Sequence, residues 1–280
     1  MTDLREKKMS DKKMLVLDID GTLTNSKKEI TENTKKAIND IQKDGHIIVI
    51  ASGRPTAGIV KLADELDLDK FGGYVLSYNG ARITNWKTKK VIYQNILDND
   101  MIGDLYSYAK KNDLGLVTYE DNNVVTGTRH DEYIELEARI NGIPIKDVDN
   151  FVEFVDFDVN KCLFTAPLDT AKEHEETIAA KFKGASVYRS EPFFIEVMPQ
   201  GVDKAASLDK LVNILGMNQK DTICCGDGFN DLSMIKYAGV GVAMENAQEQ
   251  VKKEADFITK SNDDDGIVHV INTFFKEKTA

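Results

Sequence analysis

Two short apolar runs, far apart in the chain, each end in a cluster of carboxylates. Met14-Leu15-Val16-Leu17 leads into Asp18-Ile19-Asp20-Gly21-Thr22, and Thr222-Ile223-Cys224-Cys225 leads into Gly226-Asp227-Gly228-Phe229-Asn230-Asp231. A short apolar run closed by glycine and acidic residues reads as a strand buried on both faces, the habit of parallel sheets. Open α/β sheets bind ligands beyond the carboxyl ends of such strands. Two strands that both end in carboxylates therefore imply one site, and the group that best satisfies it is a divalent cation.

The pattern on either side agrees with a parallel sheet. Residues 14–18, 47–50 and 74–77 read as strands, and the segments 31–44 and the one opened by Pro55 read as helices with one apolar face. This β-α-β-α-β order requires right-handed crossovers. After Asn79-Gly80 the rhythm changes. A hairpin at 81–84 and 90–93 is followed, up to about residue 198, by paired strands (115–119, 122–128, 159–165, 185–189, 193–198) separated by helices (99–112, 130–141, 169–183). Paired strands between helices predict an antiparallel α+β domain. Alternation resumes after Gly201: helix 203–216, strand 221–225, helix 230–238, strand 239–243, helix 246–254, strand 256–258, helix 266–276. The expected fold class is α/β, a Rossmann-like doubly wound core with an inserted α+β domain. Its expected limits are 14–84 plus 200–280 for the core, 85–199 for the insert and 1–13 for a polar N-terminal tail.

Composition narrows the function classes. A net charge of −11 opposes broad nucleic-acid binding, which needs basic surface to displace counterions. No apolar stretch is long enough to span a bilayer, and no signal-type segment precedes the first strand, so the expected location is cytoplasmic. Cys162, Cys224 and Cys225 show no disulfide spacing, and the four histidines show no zinc spacing.

Asp18 and Asp20 are two apart, so on an extended backbone they point to one side. An aspartate can attack phosphorus to form an acyl-phosphate, and a second carboxyl beside it can protonate the leaving oxygen and later activate water. Mg²⁺ takes oxygen ligands and binds only one or two carboxylates directly. Asp18, Asp227 and a backbone carbonyl near Asp20 fit that need, with Asn230 and Asp231 orienting groups behind them. Ser52 and the backbone of Gly53 stand between a strand and a helix, where N–H groups can hold a phosphate oxygen. Lys204, at another strand-to-helix join, supplies a fixed cation.

In this order the four elements, Asp18–Leu23, Ser52-Gly53-Arg54, Gly201–Lys204 and Gly226–Asp231, resemble the motifs of the haloacid dehalogenase superfamily. With Ser77–Ala81 and Ala243–Ala247 they resemble its Cof-type sugar-phosphatase branch, over essentially the whole chain after the tail. The resemblance implies a large α/β cap between the second and third motifs. It implies Asp18 as nucleophile and Asp20 as general acid/base. Ser52, Gly53, Lys204 and Asn230 would bind phosphate. Mg²⁺ would sit on Asp18, Asp227 and the Asp20 carbonyl, with Asp231 in support. Ala205 and Glu245 depart from the commonest pattern, where glycine is frequent, and neither removes a catalytic group.

The expected function is a Mg²⁺-dependent phosphoric monoester hydrolase acting on a small phosphorylated metabolite through an aspartyl-phosphate. A phosphomutase and a non-catalytic phosphometabolite-binding regulator are the alternatives. A nicotinamide oxidoreductase is disfavoured, because Asp-Ile-Asp-Gly-Thr stands where a glycine-rich dinucleotide turn would be. Candidate substrate contacts are Arg54, Asn79, Arg129 and Arg189, the last two for a second anionic group. Neither nucleic acid nor membrane is expected as a partner, and monomer and homodimer both stay open.

Overall fold

The structure is a computed structural model that describes residues 12–276. The expected tail at 1–13 falls outside the described residues up to residue 11. Lys13 is already tied into the fold, its backbone N–H donating to His46 Nδ1 at 3.1 Å and its carbonyl accepting from Ile47 at 3.0 Å.

The chain forms two compact units. The first comprises the chain up to Gly53, Val60–Ile92 and the chain from Asp203 onward; the second comprises Arg54–Ile59 and Tyr93–Val202. The expectation placed 85–199 in the insert. The division observed falls later because the hairpin strands β4 (Arg82–Asn85) and β5 (Lys90–Gln94) extend the sheet of the first unit.

That sheet has eight strands in the order β14-β13-β12-β1-β2-β3-β4-β5. Its members are β1 (Met14–Leu17), β2 (Ile47–Ala51), β3 (Tyr74–Ser77), β4, β5, β12 (Thr222–Gly226), β13 (Val240–Ala243) and β14 (Phe257–Ile258). The strands from β14 to β3 pair in parallel, and β4 turns back antiparallel on β3. All four residues of β1 are fully buried, as a central strand covered on both faces must be. Each such Leu or Val contributes about 1.5–3 kcal/mol by leaving water.

Helices α1 (Glu32–Lys43), α2 (Val60–Glu65) and α3 (Leu68–Phe71) connect the first strands. The helix expected at Pro55 begins instead as a 3-10 turn, Thr56–Ile59, and α3 is a single turn that apolar periodicity is too short to announce.

The second unit is a six-stranded sheet in the order β10-β11-β9-β6-β7-β8. These are β6 (Gly115–Glu120), β7 (Asn123–Thr126), β8 (Ile145–Asp147), β9 (Cys162–Thr165), β10 (Ala185–Glu191) and β11 (Phe194–Pro199). Pairing is antiparallel except for β7 with β8. The three-residue β8 and the one-turn helix α6 (Phe151–Phe154) were absent from the sequence expectation.

The sheet is two-faced. Leu116, Val125, Cys162, Phe164, Ile195 and Val197 pack into one core with residues of α4 (Asn99–Lys111), α6 and α7 (Ala171–Lys181). The opposite face carries Tyr119, Lys161, Tyr188 and Glu196, and α5 (Glu132–Asn141) lies against it through the bond from Tyr119 to Glu137.

Candidate active site

β1 and β12 are neighbours in strict parallel register, Leu17 beside Cys225. The Asp18 N–H continues that pairing by donating to the Cys225 carbonyl at 3.1 Å. This register brings the two acidic clusters to the same end of the sheet. Oxygens of Asp18, Asp227 and Asp231 lie within 4.8 Å of one another.

Gly21 makes this approach feasible. Its φ of +82° suits glycine, and a Cβ there would run into the Asp227 carboxylate. Thr22 Oγ1 then donates to Asp227 Oδ1 at 3.1 Å, and Asn246 Nδ2 donates to the Gly21 carbonyl at 2.8 Å. The sequence expectation assigned neither side chain a role. Thr22 lies inside a quoted motif, but its partner is remote in the chain.

Lys204 opens helix α8 (Lys204–Leu215) and is fully buried. Its Nζ donates to Asp18 Oδ1 and to Asp231 Oδ1, both at 2.6 Å. Asp231 Oδ2 accepts the backbone N–H groups of Asp227 and Gly228, both at 2.9 Å. Both oxygens of Asp231 are thus committed, and the residue holds the loop and the lysine rather than serving first as a ligand. That leaves Asp18 and Asp227 as the carboxylates best able to take a cation.

The electrostatics point the same way. Burial, with repulsion from Asp231 second, pushes the Asp18 carboxyl up to about 7 despite Lys204. Burial and Asp231 likewise push Asp227 up to about 6. Burial pulls Lys204 down, but Asp18 and Asp231 more than reverse it, so the ammonium is held charged well above its usual range. Three carboxylates surround one ammonium, and a divalent cation would offset the excess of negative charge. The donor set, all oxygen, is of the kind Mg²⁺ takes.

The phosphate-binding candidates of the first unit sit on neighbouring strand ends. Ser52 follows β2, is buried, and donates its N–H to Leu76 at 2.9 Å; Asn79 donates its N–H to the Ser52 carbonyl at 2.9 Å. Tyr78, Asn79 and Gly80 all have left-handed φ values, a strained turn of the kind that persists where surrounding structure fixes it. Ser207 Oγ clasps it at the Gly80 carbonyl, 2.5 Å away. The turn sets Asn79 near Gly53, where a Cβ would come within 3.1 Å of Asn79 Oδ1, and Asn230 Nδ2 reaches Asn79 Oδ1 at 3.4 Å. Asp20 is part-exposed and pairs with Lys28 at 2.8 Å. Glu245 is exposed.

The arginine candidates belong to the second unit. Arg54 reaches the Gly58 carbonyl at 3.5 Å. Arg129 pairs with Asp113 at 3.0 Å and Asp131 at 3.6 Å. Arg189 pairs with Glu175 on α7 at 2.7 Å. It is in register with Ile195, so it lies on the helix-covered face, opposite Tyr188 and Glu196.

Residues 15–271 match the family model of the haloacid dehalogenase-like hydrolases. The chain belongs to that family. Its Cof-type resemblance and its α/β fold class stand accordingly, as does its place among enzymes. It is 32% identical over 262 residues (93% of this chain and 95% of the relative) to the 5-amino-6-(5-phospho-D-ribitylamino)uracil phosphatase YcsE of Bacillus subtilis. It is similar to the crystal structure of a haloacid dehalogenase-like hydrolase from Bacteroides thetaiotaomicron, with a TM-score of 0.92 and 46% identity, covering 94% of this chain and all of that one (100%). The structure of the subclass IIB sugar phosphatase BT4131 superposes with a TM-score of 0.78 at 27% identity, over 94% of this chain and 98% of that one. Among the described residues no helix is long and apolar enough to cross a membrane.

Proposed function

We propose that this hydrolase is a Mg²⁺-dependent phosphatase of small phosphorylated metabolites, sugar phosphates or similar phosphomonoesters, working through an aspartyl-phosphate. The observation that carries the reading is the Asp18 carboxylate: buried, bonded by Lys204 at 2.6 Å, and grouped with Asp227 and Asp231 at one strand end. The names of two relatives support the substrate class, one giving a phosphorylated ribitylamino-uracil and the other a sugar.

In this reading Asp18 attacks phosphorus, forming a carboxylate oxygen–phosphorus bond as the bond to the leaving oxygen breaks. Asp20 gives that oxygen its proton. Asp20 then takes a proton from water, whose oxygen attacks phosphorus, releasing inorganic phosphate and restoring Asp18. Acid–base help of this kind is worth roughly 10²–10⁴-fold. Lys204, with Ser52, Gly53 and Asn230, offsets and orients the phosphoryl oxygens. Asp18, Asp227 and the Asp20 carbonyl would hold Mg²⁺, which when bound neutralises phosphoryl charge and keeps Asp18 ionised. Asp231 positions Lys204 and the Asp227 loop. Arg54, Asn79, Arg129 and Arg189 are the candidate substrate contacts, and a substrate would have to compete with acidic partners for Arg129 and Arg189. The proposed location is cytoplasmic.

Phosphate release from a panel of sugar phosphates, nucleotides, pyridoxal phosphate and p-nitrophenyl phosphate tests the reading. Mg²⁺-dependent release that stops in chelator and in Asp18→Asn is expected. Undiminished turnover in excess chelator, or in Asp18→Asn, would overturn it.

A further inference from the structure

Resting on that reading, we propose that Lys28 is the positioning residue for Asp20, the group assigned proton transfer. Its Nζ lies 2.8 Å from Asp20 Oδ1. Most exposed ion pairs deserve little weight. In this chain Lys35–Glu32, Lys43–Asp40 and Lys252–Glu249 are of that sort, pairs that one helical turn brings together automatically.

Lys28 is different, because a built turn delivers it. Asn25 Oδ1 accepts the N–H groups of Lys27 and Glu29, both at 3.0 Å. The Asn25 N–H donates to the Glu29 carbonyl, and the Lys28 N–H donates to the Asn25 carbonyl, both at 2.9 Å. Lys28 itself takes a left-handed φ of +63°, an unfavourable conformation for a residue that carries a Cβ. That φ sets the direction in which the Lys28 side chain leaves the turn.

The turn is also anchored at its base and flank. Thr24 bridges Asp20, and both its N–H and its hydroxyl donate to the Ile19 carbonyl. Ser26 N–H donates to Asp263 Oδ1 at 2.8 Å, and Asn262 Nδ2 to the Thr24 carbonyl at 2.9 Å. Every anchor lies in the first unit. The arrangement holds an ammonium against Asp20, while the Lys204 ammonium is bonded to Asp18 and Asp231. An ion pair fixed by its turn restrains the Asp20 side chain to one orientation, and proton transfer requires such placement within hydrogen-bond reach.

The test is steady-state kinetics on p-nitrophenyl phosphate at saturating Mg²⁺ for wild type, Lys28→Met, Lys28→Arg, Asp20→Asn and the Lys28→Met/Asp20→Asn double variant. Lys28→Met is expected to lower kcat roughly two- to five-fold with KM and Tm nearly unchanged, the size that an exposed pair can carry. Lys28→Arg should restore most of it. In the Asp20→Asn background the same change should have no further effect. An equal fall in both backgrounds, a change confined to KM, or no fall at all would overturn the assignment. Crystals of Lys28→Met give a readout independent of turnover: Asp20 is expected in more than one conformer, and a single conformer unchanged from wild type would sink the idea. A wild type without turnover on any phosphoester would instead count against the phosphatase reading, and the crystallographic comparison would still decide the role of Lys28.

Discussion

Both units bury charged side chains, and they balance them in opposite ways. In the first, Asp18 and Asp231 are buried and Asp227 half-buried around a single ammonium, Lys204. Burial, with repulsion from Asp231 second, holds Asp18 at about 7 and Asp227 at about 6. In the second, Lys161 pairs with Glu196 at 3.2 Å, both nearly inaccessible, and Tyr188 donates to the same carboxylate at 2.8 Å. Nearby, Glu137 accepts from Tyr119 at 2.6 Å and from Asn141 at 2.8 Å. Each of these two carboxylates is met by donors within the fold, an ammonium and a hydroxyl for Glu196 and a hydroxyl and an amide for Glu137. An unbalanced cluster is destabilising until something arrives to complete it, and that imbalance is the physical mark of a site built to bind.

The sharpest way to break the contrast is to remove a charge from each unit. Asp18→Asn should cost roughly 10³-fold or more in turnover. The same change should stabilise the metal-free protein at pH 8. Asp18 has a folded pKa of about 7, raised from its ordinary 3.8. A raised carboxyl favours the folded state while protonated, and that stability is lost as pH rises through the window between the two values. The gain from Asn should therefore be full at pH 8 and absent near pH 4 in thermal unfolding. Destabilisation at pH 8 would mean that Asp18 is a structural group.

Lys161→Met should do the reverse, costing about 3–5 kcal/mol by stranding Glu196 in the interior. The double variant with Glu196→Met should recover much of the loss. If the single variant unfolds at the wild-type denaturant midpoint, Lys161 is not what satisfies Glu196.

Mg²⁺ should stabilise the protein by about 3 kcal/mol at a concentration a hundred times its Kd. The rise in Tm should be greater at pH 8 than at pH 5, where protons compete at Asp18 and Asp227, and should vanish in Asp18→Asn/Asp227→Asn. An equal rise at both pH values would place the ion elsewhere. The smallest effect is expected from Gly21→Ala, about 1–2 kcal/mol from forcing a Cβ into left-handed backbone. It should also displace Asp227 and weaken the response to Mg²⁺; an undiminished response would separate the turn from the ion.

Much of this was legible in the chain because the signals are local. Apolar runs ending in glycine and aspartate marked β1 and β12, and their parallel pairing put Asp18 and Asp227 at one end of the sheet. The change from alternating to paired strands announced a second unit. Where an element was too short for periodicity, as in β8 and α3, nothing announced it. The face of a side chain was also hidden where it depended on partner register. Arg189 and Tyr188 are adjacent in sequence, yet β10 turns one toward Glu175 and the other toward Glu196.

By itself the sequence determined which residue types stand at which strand ends, hence the α/β class, the motifs that close those strands and the family. Burial pattern and turn chemistry act over a few residues, so they are written locally. Only the tertiary structure decided how those residues share charge. Lys204 bonds a carboxylate 186 residues away and another 27 residues away. Lys161 is matched by Glu196 across a strand pair, and Lys28 meets Asp20 through a left-handed turn. Electrostatic balance depends on distance and desolvation, and both exist only once the chain has closed on itself.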